Sequence, residues 1–261
     1  MPELPEAEAN RRAIERACLH RRIEAVDLGP DTSHVDLPDS DARDRLIGHQ
    51  FTAARRHGKI VFAGSQSGPW IAVHLGMTGR LIPFTSDEDP SEYSRLLIRL
   101  EGDQRLAFRC PRKFGSIAVV NDPDEFVSSE GIGPDALDTS AKQFADITGD
   151  GRGALKPALM DQKKVAGLGN LWTDELLFQT GLAPEKARRN LTDGQLNDLH
   201  ETMIDLLNAV ADTEIDYSQL PGTWLIHKRD DGAGCPRCSG TIRKSTVGGR
   251  STYACDQHQS D

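Results

Sequence analysis

The sequence predicts an α+β protein: an N-terminal helix and β-sandwich, then a helical domain, then a C-terminal β-hairpin built around a metal. Three observations carry this. Between about residues 22 and 120, short apolar runs alternate with turn signals, as in a sandwich or barrel. Beyond about residue 150 the apolar period lengthens to that of helices. Near the end, Cys235-Pro-Arg-Cys238 is answered by Cys255-Asp-Gln-His258, two ligand pairs at zinc-site spacing.

Residues 5–19 read as a helix opened by Pro5, with Ala9, Ala13, Ile14 and Ala17 on one side. Candidate strands follow at 23–28, 49–54, 60–63, 70–75, 80–84, 95–100, 105–108 and 116–119. Glu101-Gly-Asp-Gln104 is a hairpin turn between two of them. Gly, Pro, Asp and Thr dominate 131–150 and mark a domain boundary, giving a catalytic sandwich domain over 1–130, a helical domain over 131–225 and a finger over 226–261. Within the helical part, 155–162 and 171–178 read as helices joined by the glycine-rich turn Val165 to Asn170. That unit is either a structural αα-corner or, through its turn amides and Asn170, a phosphate grip. Thr192-Asp-Gly-Gln195 is a capping box that opens a further helix with Leu196, Leu199, Met203, Leu206, Leu207 and Val210 on one face.

In the tail, 241–245 and 251–254 read as strands around the turn Val247-Gly-Gly249, with Arg250 just past the tip. A hairpin of ~25 residues cannot bury enough core to fold alone, so a structural Zn²⁺ is expected to supply the stability. Cys235, Cys238, Cys255 and His258 are the expected ligands, with His227 as rival for the fourth place. Four protein ligands leave no position for water, so the metal is not expected to be catalytic.

No stretch approaches the ~18 apolar residues of a membrane span, and no secretory leader is evident. The expectation is a cytoplasmic chain, nucleoid-associated in a bacterium or archaeon. Five cysteines, three of them in the tail, do not suit a secreted disulfide framework. The formal net charge of −9 argues mildly against a polyanionic partner, but its distribution matters more. Acid collects at 27–45 and at 86–92; positive charge collects at Arg55-Arg56-His57-Gly58-Lys59, at Arg109 to Lys113 and in the tail.

The first six residues, Met1-Pro-Glu-Leu-Pro-Glu6, carry the chemistry with the sharpest consequence. Removal of Met1 would leave Pro2 with a free secondary amine. An α-amino group titrates near ~8, against about 10.4 for lysine, so much of it is neutral at working pH. Attack on a sugar aldehyde carbon would give an iminium, with Glu3 beside it as a proton donor and the positive helix end opposing its protonation. The same residues also read as an ordinary helix cap.

Taken together, the pieces resemble the formamidopyrimidine-DNA glycosylase and endonuclease VIII family of base-excision repair enzymes. The resemblance rests on Pro2 to Glu6, Arg55 to Lys59, His74-Leu-Gly-Met-Thr-Gly-Arg-Leu81, Pro111-Arg-Lys-Phe-Gly115, Val165 to Asn170 and the finger. It implies a monomeric DNA glycosylase and abasic-site lyase acting on damaged double-stranded DNA. By that resemblance Pro2 is the Schiff-base nucleophile, Glu3 the acid that helps open the sugar ring, and Lys59 a phosphate ligand that assists proton transfer. Met77, Arg112 and Phe114 enter the duplex. Lys113, Arg152, Lys156 and Asn170 hold phosphates, and Arg250 contacts the phosphate flanking the lesion and assists the second strand cleavage.

Four departures stand out. His258 replaces a Cys, Lys113 replaces an Arg and so loses bidentate geometry, and Cys110 precedes Pro111 where Asp or Asn is common. The stretch from Val210 to Cys235 is short and lacks the Gly-rich loop that caps flipped 8-oxoguanine in the formamidopyrimidine branch. Oxidised purine is the expected substrate and oxidised pyrimidine the alternative. A non-catalytic zinc-dependent DNA-binding protein is the reading from another class.

Overall fold

The structure, a computed structural model, describes residues 2–85, 92–149 and 151–259. Met1, whose removal is expected, and most of the acidic run at 86–92 lie outside the described residues. Two compact units divide the chain, Met1–Gly131 and Ile132–Asp261.

In the first unit, helix α1 (Leu4–Ala17) precedes β1 (Ile23–Leu28), the short α2 (Ser40–Asp44), β2 (Ala53–His57), β3 (Ile60–Gly64), β4 (Trp70–His74), β5 (Arg80–Thr85), β6 (Ser94–Leu100), β7 (Gln104–Arg109), β8 (Ser116–Val120) and α3 (Pro123–Ser129). The strands form two antiparallel sheets, ordered β1-β6-β7-β5 and β2-β3-β4-β8. Inward residues of both, among them Val61, Val73, Ile98 and Phe108, share one core with Ala7 and Ile14 of α1. That is the expected sandwich. Gly102 and Asp103 both have positive φ, at 77° and 62°, the geometry that a tight β6–β7 turn demands.

Strand β2 departs from the expected 49–54. Its Arg55 and Arg56 look unlike strand residues, yet Arg55 pairs with Asp124 at 2.7 Å and Arg56 with Glu8 at 3.5 Å. Cys110, which had no functional reading, is a core residue whose carbonyl accepts from Arg95 Nε at 3.1 Å. Burial also pushes the Cys18 thiol up to about 12, leaving it an inert part of the core.

The second unit contains α4 (Ala141–Gly149), α5 (Leu155–Leu159), α6 (Asn170–Thr180), α7 (Asp193–Asp212) and the hairpin β9 (Arg243–Val247) and β10 (Arg250–Ala254). The capping box of α7 forms as expected, with Thr192 Oγ1 accepting from Gln195 N at 3.2 Å and Gln195 Oε1 from Thr192 N at 3.1 Å. Trp172 to Phe178 of α6 are all buried, the charged pair Asp174 and Glu175 included. The hairpin is not an independent body. Ile242 and Cys255 share a small core with Phe178 of α6 and with Leu225. Among the described residues, no helix is long and apolar enough to cross a membrane.

Candidate functional site

The register of the two sheets brings the expected catalytic and wedge residues of the first unit to one end. Along one row, His57 faces Ile60, Ile60 faces His74, and His74 faces Ser116. The turn Gly58-Lys59 therefore borders the loop that leaves β4, and Gly58 takes φ +54° to make that turn. In the other sheet Arg80 faces Arg109. Loop 75–79 runs from β4 to β5 and loop 110–115 from β7 to β8, so both cross between the same two strand pairs and lie side by side.

Their contact is close. Gly76 has φ +64°, and a Cβ there would sit 2.3 Å from the Phe114 carbonyl carbon and oxygen. Arg112 N donates to Thr78 Oγ1 at 3.4 Å, which ties the two loops a second time. The result presents Met77, half-buried, beside Arg112 and Phe114, both exposed. Phe114 is 62% exposed, and the Arg112 guanidinium lies 5.6 Å from its ring centroid. Phe114 and Arg112 thus form an exposed aromatic–cation pair on the loop. Gly76→Val should lower stability by about 2 kcal/mol or more through clash and backbone strain. It should also disrupt DNA binding, and a denaturant titration with a binding isotherm checks both.

Helix α1 is pinned to this end of the sandwich. Glu8 pairs with Arg56, and Asn10 Oδ1 accepts from Leu81 N at 2.6 Å. Three cations, Arg11, Arg12 and Arg56, hold the Glu8 carboxyl below the usual range although burial opposes them. Glu3 is 1% exposed, and its N–H donates to Glu6 Oε2 at 2.6 Å, so the residue after Pro2 is firmly seated. His74 opens to solvent on one side. The protein around the rest of its ring, and then the charge of Lys59, hold its imidazole below the ordinary value.

Two expected phosphate ligands are engaged elsewhere. Lys113, at φ +58°, turns its ammonium back to Asp31 at 2.7 Å and to Ser33 Oγ at 3.0 Å. Lys156 is fully buried, with its ammonium 2.7 Å from Asp174. A side chain with no exposure cannot meet a phosphate at the surface, so Lys156 is corrected to a structural cation. Arg152 is exposed, as a phosphate ligand must be. Asn170 opens α6, and its Nδ2 donates to Ser251 O of the hairpin at 2.9 Å. Arg250 is exposed at the start of β10.

The sulfur atoms of Cys235, Cys238 and Cys255 lie within 4.8 Å of one another. Gly240 N–H points at Cys238 Sγ, 3.3 Å away, and a Cβ on Gly240 would sit 2.8 Å from Cys255 Sγ. Three converging thiols on a hairpin with little core of its own suit a structural Zn²⁺. His258, expected as fourth ligand, is not part of this group: its Nε2 meets Phe178 O at 2.8 Å and its ring packs at a tilt against that of Phe178. His227, the rival, meets Leu220 O at 3.1 Å instead. Asp174 and Arg229, unremarked in the sequence, join Lys156 in a buried network. The only signal for them was a Thr-Asp-Glu run inside an otherwise apolar helix.

Comparison with known proteins agrees with this geometry. Residues 1–117 match the formamidopyrimidine-DNA glycosylase N-terminal domain, and residues 131–219 match the formamidopyrimidine-DNA glycosylase H2TH domain. A formamidopyrimidine-DNA glycosylase of Arabidopsis thaliana is 31% identical over 97% of this chain and 69% of its own length. One from Cereibacter sphaeroides is 31% identical over 99% of this chain and all of its own. Among solved structures, the Lactococcus lactis enzyme bound non-covalently to DNA containing an abasic site superposes with a TM-score of 0.88. It is 25% identical and covers 99% of this chain and 100% of that one. A variant of the same enzyme with DNA containing Fapy-dG gives 0.86 at 26% identity, over the full length of both chains.

Proposed function

Because the chain belongs to the formamidopyrimidine-DNA glycosylase family, we propose that it excises oxidised purines from duplex DNA through Pro2 and then cleaves the strand. The observation that carries this reading is the shared sandwich end. Lys59, Met77, Arg112 and Phe114 gather there, and Pro2-Glu3 head the helix pinned to it.

The chemistry follows from the residues. A base inside a duplex is out of reach, so its nucleotide must be extruded at a cost of a few kcal/mol. Met77, Arg112 and Phe114 fill the gap and offset that cost. The Pro2 nitrogen bonds to C1′, the glycosidic bond breaks with its pair on the departing base, and Glu3 gives a proton to the ring oxygen as the sugar opens. Loss of the amine proton frees the nitrogen lone pair, which forms the iminium at C1′ as the C1′–O4′ bond breaks and its pair leaves with the protonated ring oxygen. That iminium acidifies C2′; removal of its proton expels the 3′ phosphate, and removal of the C4′ proton then expels the 5′ phosphate. Lys59 and Arg250 neutralise phosphate charge along the way. A zinc held by Cys235, Cys238 and Cys255 would brace the hairpin that carries Arg250. A DNA-repair role locates the chain with chromosomal DNA.

A second reading, oxidised pyrimidine as substrate, is favoured by one feature. After α7 the chain continues in short helical turns, Tyr217–Gln219 and Leu225–Lys228, rather than a long glycine-rich loop. Borohydride trapping on duplexes carrying 8-oxoguanine, formamidopyrimidine or oxidised thymine tests both readings, with purine lesions expected to trap faster.

Salt dependence separates the phosphate ligands. Arg152→Ala should lower the slope of log affinity against log salt by about 0.9. Lys113→Ala should leave it unchanged, because its ammonium is already paired with Asp31. Binding isotherms over a salt series check both.

A further inference from the structure

Lys156, Asp174 and Arg229 form a buried network whose contacts all fall on the strand just after Arg250. We infer that Asp174 is a positioning residue for Arg250 in the second strand cleavage, a role that rests on the lyase reading given above.

The ammonium of Lys156 is ion-paired with Asp174 Oδ1 at 2.7 Å and donates to Thr252 Oγ1 at 2.8 Å and to Ser251 O at 3.0 Å. The other oxygen of Asp174 accepts from Arg229 at 2.7 and 3.2 Å and from Tyr253 N at 3.3 Å. Arg229 in turn lies 4.4 Å from the Tyr253 ring centroid. Asn170 adds a bond to the same Ser251 carbonyl at 2.9 Å. Three consecutive residues, Ser251, Thr252 and Tyr253, are thus gripped from α5, from α6 and by Arg229.

The other side of Arg250 is also held. Gly248 lies so close to α5 that a Cβ on it would sit 2.4 Å from Pro157 Cγ. The Arg250 backbone is therefore clamped before and after, while its side chain remains exposed. Asp174 is the centre of the clamp, since it is the one group that both cations meet. Two buried charges are a costly way to fill space, and apolar residues of like volume would do so more cheaply. What ions and hydrogen bonds add is direction, and an arginine that must meet one phosphate needs direction.

In the second elimination the C4′ proton is removed and the C5′–O bond breaks, its electron pair leaving with the 5′-side phosphate. A guanidinium held at that oxygen stabilises the charge as it develops. The first elimination leaves the 3′-side phosphate and depends less on Arg250.

Single-turnover cleavage of an abasic-site duplex by wild type, Asp174→Asn, Arg250→Ala and the double variant tests this. Arg250→Ala and Asp174→Asn should each slow the second cleavage roughly tenfold, and the double variant should be no more than about twofold slower than Arg250→Ala alone. With Asp174→Asn, the first cleavage and borohydride trapping should stay within about threefold of wild type. Losses that multiply in the double variant, or equal slowing of both cleavages by Asp174→Asn, would overturn the assignment. Should Asp174→Asn fail to fold, Arg229→Gln carries the same comparison with the Lys156–Asp174 pair intact. An unchanged second cleavage in that variant also overturns it. Absence of any trapped adduct with wild type would instead refute the lyase reading itself.

Discussion

A chain that keeps its initiator methionine is expected to yield no borohydride-trapped adduct at all, and Pro2→Gly to trap at least about a hundredfold more slowly than wild type. The two losses have different causes. With Met1 in place, the nitrogen of Pro2 is a peptide nitrogen whose lone pair is delocalised into the carbonyl, so Pro2 has no nucleophile to offer. Pro2→Gly keeps an amine but loses the ring that ties the nitrogen to the side chain and stops its rotation about N–Cα, so the attacking atom is no longer held. Glu3→Gln should behave differently again. It preserves the shape of a buried side chain and removes only the acid, so excision of an intact damaged base should fall while trapping on a ready-made abasic site persists. Single-turnover trapping on lesion-containing and abasic duplexes, run in parallel, separates these outcomes.

The second large effect belongs to the metal. Cys238→Ser, or chelation of the wild type, should release about one equivalent of zinc and abolish specific DNA binding, since zinc contributes on the order of 10 kcal/mol to small structural sites. The physical reason is visible in the finger. Its own apolar residues are few, and Ile242 and Cys255 reach a core only by packing against Phe178 and Leu225. Without the three thiolates drawn together, the strand bearing Arg250 loses one of its supports. Metal analysis together with a binding isotherm checks the prediction. A zinc-free variant that still binds lesion DNA as the wild type does would contradict it.

Much of the architecture was legible from residue pattern alone. Apolar runs bounded by turn signals set most strand positions between 60 and 120 to within a residue or two, because strands such as β3 and β4 are buried along nearly their whole length. Thr192 and Gln195 announced α7 through local hydrogen bonding that needs no tertiary partner. Helix α4 went unread because it lies in a stretch rich in Gly, Asp and Thr; burial of Phe144 against His200 makes it worthwhile.

Site residues divide in the same way. The motifs that carry Met77, Arg112 and Phe114 fall in two loops that meet where Gly76 approaches Phe114. The family resemblance assigned Lys113 and Lys156 to phosphates, and a lysine in sequence carries no record of its partner. Asp31 and Asp174 are far from them along the chain, and only folding shows that these carboxylates come first. The finger's cysteines were evident from spacing, whereas the orientation of His258 depends on a carbonyl of α6 that no ligand motif contains.

The central claim is a covalent one, and mass spectrometry of the borohydride-reduced complex reaches it directly. After digestion of protein and DNA, the deoxyribose remnant should be found on the N-terminal peptide, attached to the nitrogen of Pro2, with Met1 absent. A remnant attached to a lysine such as Lys59, or normal strand cleavage by protein that still begins with Met1, would contradict the account.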